Sequence, residues 1–286
     1  MINAHACSYT YPLAAAPALR DVTLSIAAGE LVAVLGANDS GKSTLCYALS
    51  GLAPHFFRGQ MSGRVTVADL DTQHTPLGAL MAVAGVMLQN PVNQISGARF
   101  TVAEEVAFGL ENLGVPRAVM QTRVDEALRL VGLEALAAAS PLALSGGQQQ
   151  RLTLAATLAM QPPVLLLDEP TSHLDAASSR AIWQVLHSLS RSGRTVVVVE
   201  RNLALVAEFA DRVLVLDAGA VVLDGSPRAV LTDARLERWQ VDRARVTRLA
   251  EQAQAEGLWP TAHTLPLTVN EAVAGFRPGG HDGNRS

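Results

Sequence analysis

Short apolar runs alternate with longer amphipathic stretches along this chain. "DVTLSIAAGELVAVLG" reads as a strand, an Ala-Gly turn and an uninterrupted apolar strand over Leu31–Leu35. A glycine loop follows at once, and "KSTLCYALSGL" from Lys42 has helical composition. "GRVTVADLD" reads as a strand with polar alternation, and residues 75–95 as loop-rich. Residues 101–139 read as helical, with Met120, Val124, Ala127, Leu128 and Val131 on one face. "QQQRLTLAATLAM" predicts a helix from Gln148, which Ser145 can cap.

"VLLLDEP" is a short apolar strand suited to the middle of a parallel sheet. "AASSRAIWQVLHSLSRSG" then puts Ile182, Val185, Leu186 and Leu189 on one helix face and ends at Gly193. "RTVVVVE" and "RVLVLDAGAVVLDG" supply three more strands, the last two as a hairpin. Strands alternating with helices predict an α/β sheet covered on both faces. Beyond about Ala234, "RLERWQVDRARVTRLAEQAQAEGLWP" predicts one charged amphipathic helix ending before Pro260, and "GFRPGGHDGNRS" reads as a disordered tail.

A length of 286 residues holds one large domain, or a domain with a small appendage. The net charge of -4 and pI near 6.0 lack the basic surplus of a nucleic-acid binder, so no nucleic-acid partner is expected. No apolar run approaches the length of a membrane span, and "MINAHACSYTYP" lacks a signal pattern, which predicts a cytoplasmic location. Cys7, Cys46 and the seven histidines show no metal-like spacing, so reduced thiols and no structural metal are expected.

Chemistry enters with "GANDSGKST" between a strand and a helix, which matches G-x-x-x-x-G-K-[ST]. Gly36, Ala37, Asn38, Asp39, Ser40 and Gly41 would wrap a β-phosphate, Lys42 would reach β and γ oxygens, Ser43 would hold Mg²⁺, and Thr44 follows. Asp39 stands out, because a carboxylate repels phosphates and a side chain restricts a backbone that glycine leaves free. In "VLLLDEP", Asp168 would hold Mg²⁺ through water, and Glu169 would polarise a water attacking the γ-phosphate. "LSGGQ" adds a second anion seat: Ser145, Gly146, Gly147 and Gln148 stand at an exposed helix start.

These motifs, with Gln89 in "VMLQNP" and "SHLD" through Asp175, resemble those of ATP-binding-cassette ATPases over residues 1–230. The resemblance implies ATP hydrolysis and a P-loop NTPase fold: a RecA-like parallel sheet core, a β subdomain and a helical insertion over about residues 95–160. Residues 231–286 would form a C-terminal helical appendage. It further implies that the signature Ser145–Gln148 closes over ATP held by a second ATPase subunit. Tyr11 would stack on adenine, Gln89 would link Mg²⁺ and the γ-phosphate to the helical insertion, and Asp175 would tie the subunits together.

"QNPVNQISGARFTVAEEVAFGLENLGVP" and "LPLTVNEAV" are similar to the ATPases of energy-coupling-factor importers for vitamins and transition-metal ions. "GLAPHFFRG" resembles members linked to thiamine-precursor uptake. Integral membrane subunits would then be partners, docking around residues 89–105, and the chain would sit peripherally on the cytoplasmic face. Arg201 occupies the position of the family's phosphate-sensing histidine; either it stabilises phosphate by charge, or the site is slow. Together with Asp39, this favours a heterodimer with a different ATPase. A soluble ATPase of translation or DNA repair, and a weakly catalytic regulatory subunit, are the alternatives.

Overall fold

The computed structural model describes residues 1–260 and 263–276. It begins with β1 (Ile2–Thr10), β2 (Leu19–Ile26) and β3 (Leu31–Leu35), then α1 (Lys42–Ser50) and a short turn, α2 (Leu52–His55). β4 (Gln60–Val67) and β5 (Leu70–Asp71) complete a four-stranded antiparallel sheet in the order β2-β1-β4-β5. α3 (Leu77–Val83), β6 (Ala84–Met87), α4 (Val102–Asn112), α5 (Arg117–Val131) and α6 (Gly146–Ala159) follow. β7 (Val164–Asp168), α7 (Ala176–Arg191), β8 (Thr195–Val199), α8 (Leu203–Phe209), β9 (Arg212–Asp217) and β10 (Ala220–Gly225) complete the second sheet. α9 (Pro227–Leu231), α10 (Arg245–Ala255) and α11 (Val269–Phe276) follow.

The second sheet runs β10-β9-β3-β8-β7-β6, and every pair except β9/β10 is parallel. Its central strands are apolar because both faces are covered. Along β3 the alternation divides cleanly: Leu31, Ala33 and Leu35 pack with the helices α4–α8, whereas Val32 and Val34 pack with α1 and the antiparallel sheet. Val34 and Asp168 both pair with Val199, so the ends of β3, β8 and β7 lie side by side. Their three following loops therefore open onto one place, the crevice where open α/β sheets bind ligands.

Several expectations are corrected. Residues 75–95 are not mainly loop: α3 and β6 lie there, and β6 takes its ladder from the edge of β7, with all four residues buried. Burial on both faces removes the polar alternation that would mark a strand. The helical stretch 101–139 is two helices broken at Leu113–Pro116, the second ending at Gly132 with φ 66°. Val124, Ala127, Leu128 and Val131 are buried as the period requires.

The long helix expected beyond Ala234 is also broken. A 3-10 segment, Ala234–Trp239, ends at Gln240 in left-handed backbone, and α10 begins only at Arg245 and stops at Ala255. Val241 between them is anchored in the main core, and a straight helix could not deliver it there. Residues 277–286 of the expected disordered tail lie outside the described residues. Cys7 and Cys46 are buried free thiols. Burial pushes the Cys7 thiol up to about 11 and Cys46 upward as well.

Candidate functional site at the strand ends

The loop leaving β3 is shaped by two glycines. A Cβ on Gly36 would stand 2.3 Å from the Leu216 carbonyl and 2.5 Å from Ser40 Oγ; one on Gly41, at φ 103°, would stand 2.7 Å from the Ala18 carbonyl. Gly41 starts α1 with no side-chain cap, and its first turn carries no acid, so the positive end of the helix faces the loop. Lys42, the only lysine in the chain, is buried and turns back on that loop, donating to the Gly36 carbonyl at 2.9 Å and to the Ala37 carbonyl. Burial, and then Arg201, lower its pKa, opposed by Glu169, Asp168 and Asp39. Asp39 is exposed at φ 59°, the left-handed region that glycine adopts freely.

The acidic pair sits at the end of β7. Asp168 is 1% exposed, and its carboxylate oxygens make no well-formed hydrogen bond, the Ser43 hydroxyl being their polar neighbour. Its burial raises the pKa, the Ser43 hydroxyl opposes that, and Glu169 adds to it. Two buried carboxylate oxygens beside a serine hydroxyl form the oxygen donor set that Mg²⁺ takes, so the residues present fit that ion.

Glu169 is nearly buried, at φ 51°. Its N–H donates to the Val199 carbonyl, and its carbonyl accepts from Gln150 Nε2 at 2.7 Å. Its side chain is gripped by Arg201, from Nε at 2.8 Å and Nη2 at 2.7 Å. Arg201 is itself placed by Glu200, a buried residue that sequence reasoning missed. Glu200 Oε1 accepts from the Arg201 and Asn202 N–H groups, and Oε2 from Thr171 Oγ1 and Trp183 Nε1.

A cleft of about 610 Å³ opens over these groups. It brings together Tyr11, Asn38, Asp39, Gly41, Lys42, Ser43, Thr44, Gln89, Glu169 and Arg201 from the expected set. Asp168 lies buried beneath, and Gly36, Ala37 and Ser40 form the inner turn of the loop. Tyr11 is half-buried, its hydroxyl 3.1 Å from Thr44 Oγ1 and its ring edge-on to Tyr9. Tyr47, which sequence reasoning did not single out, lines the same cleft and stacks on Phe57.

Ser145, Gly146, Gly147 and Gln148 are not among the residues lining the cleft. The helix there starts at Gly146, not at Gln148, because Ser145 and Gln148 close a reciprocal capping box: Ser145 N donates to Gln148 Oε1 at 2.8 Å, and Gln148 N to Ser145 Oγ at 3.4 Å. A Cβ on Gly147 would meet the His173 carbonyl at 2.9 Å, whereas one on Gly146 meets nothing. Gly147 has an intramolecular reason to be glycine; Gly146 has none of this kind. Gln150, a second missed residue, bonds to Glu169, Ser172 and His173, so it ties α6 to the loop beyond the acidic pair. Asp175 caps α7 through Ser178 and is exposed.

The comparisons with known proteins agree with this geometry. A family model described as ABC transporter matches residues 19–172. An energy-coupling factor transporter ATP-binding protein EcfA of Methanosarcina acetivorans is 39% identical over 259 residues, 90% of this chain and 91% of that protein. The solved structure of cbiO1 from Clostridium perfringens, described as part of the ABC transporter complex cbiONQ, has a TM-score of 0.71 at 29% identity and covers 88% of this chain and 98% of its own. The dimeric post-hydrolysis structure of the ATP-binding cassette MJ0796, bound to ADP and Pi, has a TM-score of 0.70 at 29% identity and covers 79% of this chain and 99% of its own. With a glycine-built phosphate loop, a buried acidic strand end and a separately exposed signature helix, this chain belongs to the ABC transporter family, as one of its ATP-binding cassettes.

Proposed function

We propose that the chain is the ATP-hydrolysing subunit of an energy-coupling-factor type importer, one of two cassettes that close over ATP at the cytoplasmic face of a membrane. The observation that carries this reading is a separation. Lys42, Ser43 and Glu169 face one cleft with Asp168 beneath it, while Ser145 and Gly146 stand exposed at a helix start outside it. An anion seat with no anion source in its own chain suits a nucleotide held by a second chain. Such a ligand contacts both subunits, so its binding favours the closed dimer and its cleavage reopens it.

Within the cleft, Lys42 exchanges its loop carbonyls for β and γ oxygens, and the loop N–H groups hold the β-phosphate. Ser43 and Asp168, with Gln89, would hold Mg²⁺, which supplies charge neutralisation on the phosphates. Glu169 orients the attacking water once its carboxylate is free of Arg201. Tyr11 supports the base. Gln94, bonded to Leu88 N and the Val86 carbonyl, positions the loop that carries Gln89 toward the helical insertion.

Val92 and Phe100 are exposed, and a small groove of about 160 Å³ lined by Ile95, Phe108 and Met160 has room for an apolar side chain from a helix of a membrane subunit. The names of the EcfA and cbiO1 relatives support the importer reading. Asp39 and Arg201 support a partner ATPase of different sequence. The test has two arms. Glu169→Gln is expected to slow turnover by about 10²- to 10⁴-fold. An ATP analogue with a non-cleavable linkage and a thiol-reactive chloroacetyl group at its γ end, bound in the cleft of one cassette, is expected to alkylate Ser145→Cys of the other with loss of chloride. Unchanged turnover removes hydrolysis from this chain, and ligand touching a single polypeptide removes the shared site.

A further inference from the structure

A second cavity, of about 770 Å³, lies between the cassette and the C-terminal elements. Its volume is that of a small-molecule site, and Leu203, Val246, Leu267 and Val269 give it apolar walls. Five arginines and two acids line it, in a chain whose net charge is -4. Three of the arginines already have carboxylate partners: Arg180 with Glu208, Arg201 with Glu169, and Arg243 with Glu251. Arg245 and Arg248 are exposed and form no ion pair among the described residues. Two open guanidinium forks beside an apolar wall match a ligand that has a doubly charged phosphate on one end and a hydrocarbon body on the other.

Arg201 lines this cavity and the nucleotide cleft alike. Its side chain is 56% exposed and can turn, whereas that of Glu169 is 10% exposed, so an anion that draws Arg201 away must offset the loss of a partly buried ion pair. We propose that this cavity binds an organic phosphate monoester, held by Arg245 and Arg248, and that the occupant draws Arg201 off Glu169 and so releases the carboxylate for hydrolysis. The second half rests on the reading of Glu169 given above; the first does not. The cavity is then a regulatory site through which a phosphorylated metabolite raises the turnover of the cassette.

Phenyl phosphate is the probe. The full chain is loaded with Mg²⁺ and ADP, so that the phosphate loop is filled, and titrated by calorimetry. Saturable binding is expected, weakened about tenfold or more in R245A/R248A. Inorganic phosphate, lacking the apolar body, is expected to bind more weakly than phenyl phosphate. In a separate turnover assay the probe raises hydrolysis several-fold in the parent chain and has no effect in R245A/R248A, whose rate without probe matches the parent's. No saturable binding, equal affinity in the two chains, or equal binding of inorganic phosphate overturns the site. Binding that the double variant loses, with turnover unmoved by the probe, overturns the link through Arg201. Should Glu169→Gln retain full turnover, the reading of Glu169 fails, and the titration still decides the cavity.

Discussion

Asp39 provides a quantitative test, because its two effects act on different measurements. At φ 59° an L-residue carries a left-handed penalty of roughly 1–2 kcal/mol, less for Asp than for most. Glycine removes that penalty, but it loosens the unfolded chain by about 0.5–1 kcal/mol, so Asp39→Gly leaves stability close to the parent's. The charge acts on ligand affinity instead. In water, unit charges about 7 Å apart interact by about 0.6 kcal/mol. Against roughly two net negative charges on Mg²⁺-bound ATP, this amounts to about 1 kcal/mol, or about fivefold in affinity. Part of the gain is offset, because Asp39 also supports the charge on Lys42.

Asp39→Asn removes the charge and keeps a side chain that tolerates left-handed backbone. Calorimetric titration of ATP in a Glu169→Gln background, which suppresses turnover, is expected to show both variants binding about three- to fivefold tighter, with the gain shrinking at about 0.5 M salt. If Asp39→Asn binds like the parent while Asp39→Gly binds tighter, loop backbone and not charge limits affinity, and the electrostatic argument is refuted.

Other outcomes follow from the same geometry. Gly146→Ala is expected to keep the parent's thermal midpoint and to lose ATP-dependent dimerisation, whereas Gly147→Ala lowers stability by about 1–2 kcal/mol, since its Cβ must displace the His173 carbonyl. Equal stability effects of the two would sink that distinction. Lys42, the only side-chain amine and one whose pKa is lowered by burial, is expected to be protected by ATP from an acylating reagent applied at alkaline pH, read by peptide mass spectrometry. The raised pKa of Asp168 means that its ionised form destabilises the fold above that pKa, with no effect below the unfolded value. Asp168→Asn is therefore expected to raise the thermal midpoint of the nucleotide-free chain at pH 7, with the gain fading as pH falls toward 4. A gain that persists unchanged at low pH would contradict the burial argument.

Local pattern was enough for much of this molecule. Uninterrupted apolar runs marked β3, β7 and β8, because strands covered on both faces have no polar side. Glycine and lysine spacing marked the phosphate loop, since a backbone wrapped around an anion tolerates few other residues. β6 was illegible, because its ladder belongs to an edge created by β7, about eighty residues later. The break after Trp239 was hidden for the same kind of reason: Val241 leaves the helical course to reach a core built from distant elements.

The functional pairings divide in the same way. The residue types at Glu169 and Arg201 could be read along the chain, but their bond depends on β7 and β8 lying side by side and on buried Glu200 holding the Arg201 backbone. Gln150 looks like one amide among three until the fold brings α6 against the loop after β7. Composition and spacing determined which chemistry this chain carries, because those constraints act within a few residues. Which groups touch, and which stay apart, was decided only by packing between segments far apart in sequence.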